Sequence, residues 1–101
     1  MPDPGILLPN IILPHLDRLL SSREFPKTIC PSEIARAVSA KDLELLDISE
    51  WRDLMPGIRE ELWSMRRRGE VEILQRGAVL PEGIELQDIK GPIRARKAPQ
   101  S

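Results

Sequence analysis

Residues 51–97 read WRDLMPGIREELWSMRRRGEVEILQRGAVLPEGIELQDIKGPIRARK and contain, in order, a helical pattern, a basic cluster and two strand-like segments. Apolar residues recur every three or four positions from Trp51 to Met65, which predicts an amphipathic helix that Gly69 ends. Pro56 interrupts this pattern, because proline disfavours a helix interior. We therefore expect a separate turn over residues 51–55 and a main helix over 56–68.

The segments after the basic cluster predict a small sheet. Residues 71–76 alternate apolar and polar side chains, as a half-buried strand does. Gly77 predicts a bend or bulge, and residues 79–80 extend this first strand. A polar loop over 81–90 leads to a second strand over 91–96, in which apolar side chains point inward and arginines point outward.

The first half of the chain predicts two more helices. Residues 1–9 contain three prolines and a glycine, so we expect them to be irregular. The spacing of apolar residues predicts a helix over 10–22, although Pro14 favours a start nearer Leu13. A second helix is expected from Pro31 to about residue 39, because proline is favoured at the first helical position.

Two short segments lie beside the second helix. Residues 27–29 are rich in β-branched side chains and bounded by prolines, which predicts a short edge strand. Residues 41–49 are acidic and leucine-rich, and we expect a short helical turn there. The apolar side chains of this turn that we expect to pack against the core are Leu43, Leu45, Leu46 and Ile48.

These elements together predict an α+β fold, a winged helix-turn-helix with three main helices, a short strand and a two-stranded β-hairpin wing. The predicted domain covers residues 10–97, between a disordered segment over 1–9 and a flexible tail over 98–101. The length of 101 residues suits one domain, and the 41% of hydrophobic residues supply one modest core. No apolar run is long enough to span a bilayer.

The chain carries little that suggests catalysis. It has one histidine, one cysteine and no tyrosine, and it lacks the familiar catalytic, phosphate-loop and paired-cysteine motifs. We therefore expect no enzyme activity, no cofactor and no metal site. A single cysteine forms no internal disulfide, which favours an intracellular location, cytoplasmic or nuclear. Cys30 precedes the second predicted helix, where a reactive thiolate and a simply buried thiol are the two alternatives.

Charge is distributed unevenly along the chain. Residues 1–65 have a net charge of −4, whereas residues 66–101 have a net charge of +3. If the wing lies beside the third helix, its cations can meet nucleic-acid phosphates. The residues we expect to bind DNA or RNA in this way are Arg66, Arg67, Arg68, Arg76, Lys90, Arg94, Arg96 and Lys97. The alternative is structural, because arginines stabilise helix C-termini and protect strand edges.

The outward face of the third helix favours a different function. On a helical wheel it carries Glu60, Trp63 and Arg67, which offers few groups for reading bases. An exposed Trp63 flanked by Glu60 and Arg67 would instead anchor a protein partner or a homodimer, together with the acidic leucine-rich segment. The alternative for Trp63 is packing against the wing near Ile73 or Ile93. We expect neither a membrane partner nor a small-molecule substrate.

Several short motifs resemble a family of mainly bacterial proteins known only as a domain of unknown function. They are CPSEIAR at 30–36, WRDLMPGIR at 51–59, Gly69, QRG at 75–77 and GPIR at 91–94. The resemblance covers about residues 28–96 and implies a winged-helix fold, with no established activity or ligand. This chain departs from the family in its leucine-rich segment after residue 39 and in its longer loop before Gly91.

The recurring polar residues of these motifs have two open interpretations. In the first, Glu33 pairs with Arg52 or Arg59 and fixes the second helix against the third. Alternatively, Arg36, Arg52 and Arg59 form an anion pocket beside the helix-turn-helix.

Overall fold

The computed structural model describes residues 4–99 as an α+β fold of four helices, two 3₁₀ turns and a small antiparallel sheet. The helices are α1 (Pro4–Ser21), α2 (Pro31–Ala37), α3 (Ala40–Leu45) and α4 (Met55–Arg67). The strands are β1 (Val71–Gln75), β2 (Ala78–Val79) and β3 (Arg94–Lys97), and the 3₁₀ turns cover Trp51–Leu54 and Leu86–Asp88. No helix in this range is long and apolar enough to cross a membrane.

Helix α1 begins at Pro4, six residues before the earliest start that its sequence predicted. The expectation of an irregular segment is therefore wrong for residues 4–9, while residues 1–3 lie outside the described part. Proline costs least in the first turn, and packing offsets its cost further along. Leu8 packs so closely on Gly57 of α4 that a Cβ atom there would overlap Leu8 Cδ2. Ile12 and Leu16 on the same helix are fully buried.

The second helix has the predicted first residue, and α3 lies in the leucine-rich segment as expected. Pro31 opens α2, and the Cys30 N–H donates a hydrogen bond of 2.7 Å to Glu33 Oε2. Ser39 Oγ accepts from the Asp42 N–H at 3.1 Å and so caps α3. Leu45 is 60% exposed, so the expectation that it packs inward is wrong. The other three apolar side chains of this segment pack against the core.

The predicted break before the main helix is confirmed. Trp51–Leu54 forms a 3₁₀ turn, and Pro56 lies in the first turn of α4, where its missing N–H costs no helical hydrogen bond. Ile58, Leu62 and Met65 on α4 are buried, as the helical spacing predicts.

The sheet has three strands in the order β2-β1-β3, rather than the two of the predicted wing. Arg76 and Gly77 have φ angles of 55° and 82°, so they form a two-residue hairpin turn and β2 pairs back on β1. The expected continuation of the first strand past Gly77 is therefore wrong. Ile93 and Ala95 are buried on the inner side, as predicted.

Strand β3 joins the two halves of the chain. It pairs with β1 from Val71↔Lys97 to Leu74↔Arg94, and Ala95 also forms an isolated bridge with Ile29. The short edge strand expected over residues 27–29 is thus reduced to one bridge. The Ala98 N–H donates to Glu70 O at 3.1 Å, so ordered backbone contacts reach residue 98. Residues 100–101 of the predicted tail lie outside the described part.

Candidate anion-binding cleft

A surface cleft of about 450 Å³ opens between the β1–β2 turn, the Ile29 bridge and the residues that lead into β3. Its lining includes Cys30, Leu74, Arg76, Lys90, Ile93 and Arg94. Three of the cations expected from the sequence therefore lie at one cleft, although 18 residues of chain separate Arg76 from Arg94. The antiparallel pairing of β3 with β1 and the turn at Arg76 bring them together.

Arg94 is held in place by the chain on the opposite side of the cleft. Its Nε donates to Thr28 Oγ1 at 2.5 Å, and its Nη2 donates to Thr28 O at 3.2 Å. These bonds leave Nη1 without a hydrogen-bond partner among residues 4–99. A guanidinium held in this way loses little side-chain entropy when it binds an anion.

The backbone of Lys90 and Gly91, which lines one side of the cleft, is held by two side chains. Gln75 Nε2 donates to Lys90 O at 2.7 Å, and Arg59 Nη1 donates to Gly91 O at 3.3 Å. Gly91 has a φ of +93°, a conformation that L side chains rarely adopt. We missed the role of Gln75 in the sequence, because its partner lies 15 residues away across a loop.

All three cations of the cleft are exposed, and Arg76 and Lys90 differ from Arg94 in their hydrogen bonding. Arg76 occupies the first position of the hairpin turn, which places its side chain at the sheet edge. Neither side chain has a hydrogen bond or an ion pair with another residue in the described range. Both are therefore available to an anion from solution.

The other five of the eight candidate cations lie elsewhere, so the structure brings only three of them together at the cleft. Four of them have internal partners: Arg66 with two loop carbonyls, Arg67 with Glu85, Arg68 with Glu70 and Arg96 with Glu72. Arg96 is well enclosed, with 15% of its side chain exposed and its Nε 2.9 Å from Glu72. Lys97 lies in a separate groove beside Asp17 and Glu70.

Residues 9–98 match the family described as Protein of unknown function (DUF3253). The chain belongs to this family. No curated protein matches it. The DUF3253 match includes every residue of the cleft, and the predicted membership of a family of unknown function is confirmed.

The C-terminal part of the outward side of α4 in this DUF3253 domain contacts a segment of chain, residues 81–89, which we call the cover segment. Trp63 is 1% exposed, and it lines a shallow groove together with Glu60, Arg67 and residues 85–87. The expectation of an exposed Trp63 that anchors a partner beside Glu60 and Arg67 is therefore wrong. The loop over 81–90 packs on the helix through its own 3₁₀ turn instead of protruding.

Two arginines attach the cover segment to α4. Arg66 donates to Pro81 O at 2.6 Å and to Ile84 O at 3.3 Å, and its guanidinium lies 5.1 Å from the centre of the Trp63 ring. Arg67 pairs with Glu85 at 3.1 Å. The basic end of α4 thus holds the loop of its own chain.

The polar residues of the short motifs singled out in the sequence also have partners within the domain. Glu33 pairs with Arg23 at 2.6 Å, so the expected pairing with Arg52 or Arg59 is wrong. The guanidiniums of Arg36 and Arg52 each lie 4.9 Å from the ring centre of Trp51, which ties α2 to the 3₁₀ turn. Arg59 donates instead to Gly91 O, beside the cleft.

The groups around the Glu33 carboxyl favour its charged form. Its partial burial raises the pKa of this carboxyl group, but the Cys30 N–H and the Arg23 guanidinium outweigh that effect and hold the pKa below its ordinary value. Cys30 itself is half-buried, and its Sγ accepts a hydrogen bond from Ser32 Oγ at 3.1 Å.

Proposed function

We propose that this domain is a non-catalytic binding module that holds nucleic-acid phosphates at the cleft. The observation that carries the proposal is the convergence of Arg76, Lys90 and Arg94 on one cleft, two of them without a partner among residues 4–99. Charge-assisted hydrogen bonds from arginine and lysine are the usual contacts to phosphate oxygens. Three positive charges thus lie at the cleft, although the net charge of the whole chain is −1.

The order of the elements supports a winged-helix arrangement, which we include in the proposal. Helix α1 is followed by the Ile29 bridge, by α2, the short α3 and α4, and then by β1, β2 and β3, with the bridge residue beside β3. In that arrangement the chain between β1 and β3 is the wing. Arg76 and Lys90 lie near its two ends, so the wing carries the phosphate contacts.

A salt series with labelled nucleic acid tests the proposal. Fluorescence anisotropy would measure the affinity for mixed-sequence duplex and single-stranded DNA and RNA. Contact with two or three phosphates predicts that log affinity falls with log salt at a slope of about −2 to −3 for duplex DNA and about −1 to −2 for a single strand. Arg76→Ala and Lys90→Ala should each weaken binding and reduce the slope by about 1.

Lys97→Ala is the matched control, because Lys97 is an exposed cation in a different groove. It should leave both affinity and slope nearly unchanged. The proposal fails if neither nucleic acid binds at low salt. It also fails if Lys97→Ala weakens binding as much as Arg76→Ala does.

A further inference from the structure

We infer that the cleft accepts one unstacked base of a single-stranded nucleic acid, while Arg76 and Lys90 hold the adjoining phosphates. This inference rests on the proposed function, since it names the form of nucleic acid that the same cleft takes. Three observations carry it: the partly covered side of α4, the apolar floor of the cleft, and the hydrogen-bonding groups on its walls.

The first observation concerns duplex binding. A helix that reads duplex DNA lies in the major groove and presents its outward side chains to base edges. In this domain the cover segment lies over the C-terminal part of that side of α4, and Arg66 and Arg67 are bound to it. On the part of this side that stays exposed, Glu60 is repelled by phosphates, and the exposed Arg67 is already paired with Glu85. Helix α4 is therefore a poor reader of a duplex.

The second observation is the shape and floor of the cleft. Leu74 and Ile93 are 6% and 2% exposed and form an apolar floor. The volume of about 450 Å³ lies in the usual range for pockets that enclose a small molecule. A base inside a duplex cannot enter such a pocket, because its neighbours stack on both faces. A base of a single strand can enter, and burying its flat face removes apolar surface from water.

The third observation is the set of polar groups on the walls. Gln75 uses its amide N–H to bind Lys90 O, which leaves its carbonyl oxygen as a hydrogen-bond acceptor. Thr28 Oγ1 accepts from Arg94, so its hydroxyl hydrogen remains a donor. The fixed plane of the Arg94 guanidinium is a surface on which a base stacks. These groups match the edge and the face of a base.

An abasic strand is the sharpest probe, because it keeps the phosphates and lacks the bases. We would compare a normal single strand of about ten nucleotides with an abasic strand of equal length and with a duplex, at one salt concentration. The normal strand should bind at least about fivefold more tightly than the abasic strand, the lower end of the effect of burying one base. The duplex should also bind more weakly than the normal strand.

Protein variants that fill the cleft with a larger side chain complement the abasic strand. Cys30→Phe and Pro92→Phe each place a ring among the lining residues and keep every cation. Both should lower the affinity for the normal strand to that for the abasic strand, with an unchanged salt slope. Circular dichroism would show that they fold, and the exposed position of Pro92 makes that variant the safer one.

The two proposals fail in different ways. If the abasic strand or the duplex binds as tightly as the normal strand, the base-binding inference is overturned and phosphate binding stands. The same holds if both folded phenylalanine variants bind like the original protein. If no strand binds at low salt, the proposed function itself is overturned.

Discussion

Glu33 accepts hydrogen bonds from two separate parts of the chain. Its contribution to the free energy of unfolding can therefore be measured with a single substitution. Its Oε2 accepts from the backbone N–H of Cys30 at 2.7 Å, and its Oε1 accepts from Arg23 Nη2 at 2.6 Å. The carboxylate thereby joins the end of α1 to the start of α2. It also lies next to Cys30, a lining residue of the cleft.

We predict that Glu33→Gln removes a stabilising contribution that depends on pH. Because the pKa of Glu33 is lowered in the folded protein, this contribution is complete above the ordinary value of 4.5 and disappears as the pH falls through the native pKa. Urea unfolding at neutral pH should show a loss of about 1 kcal/mol, the usual value of a helix cap. The difference from the original protein should shrink below pH 4.5.

Glu24→Gln provides the control, because Glu24 is exposed and has no side-chain partner in the described range. It should change the free energy of unfolding little at any pH. An equal loss at neutral and acidic pH for Glu33→Gln would show that the carboxylate charge contributes nothing.

At the scale of elements, the cover segment and α4 form one unit that depends on Arg66. We predict that Arg66→Ala loosens this segment and exposes Trp63, because two hydrogen bonds from a charged donor are lost. The free energy of unfolding should fall by about 1–3 kcal/mol. Acrylamide quenching of tryptophan fluorescence should increase, measured with Trp51→Phe so that only Trp63 reports.

Arg68→Ala is the matched control, because the only side-chain hydrogen bond of Arg68 in the described range is to its near neighbour Glu70. It should leave the quenching of Trp63 unchanged. Equal quenching in Arg66→Ala and the original protein would mean that packing of the 3₁₀ turn holds the segment without the arginine.

The elements that the sequence predicted well have local signals. Pro31 and Glu33 mark the start of α2, and Pro56 marks the change from a 3₁₀ turn to α4. The hairpin turn was missed because a non-glycine residue, Arg76, takes a positive φ where asparagine or aspartate is typical. The partners of Arg66 were also missed, because they lie 15 and 18 residues away and are set by tertiary packing.

At the scale of the whole molecule, β3 connects the helical half to the sheet. Ala95 and Ile29 exchange two backbone hydrogen bonds, of 2.7 and 2.9 Å, and Ala95 is also paired with Ile73 at the centre of β1. Helix α1 contacts β3 as well. Since the last strand touches the first helix, the first bridge and the central strand, the domain is expected to unfold in one cooperative step.

Ala95→Glu tests this connection, because Ala95 is fully buried with no room for a charged side chain. An unpaired carboxylate at that position should cost at least about 4 kcal/mol, a large part of the stability of a small domain. The urea midpoints measured by helical circular dichroism and by tryptophan fluorescence should fall together. Lys97→Glu, on the same strand but exposed, should shift them little. If Ala95→Glu moved the two midpoints apart, the helices would be stable without β3. The cleft, which needs β3 for its shape, would then not be a rigid site.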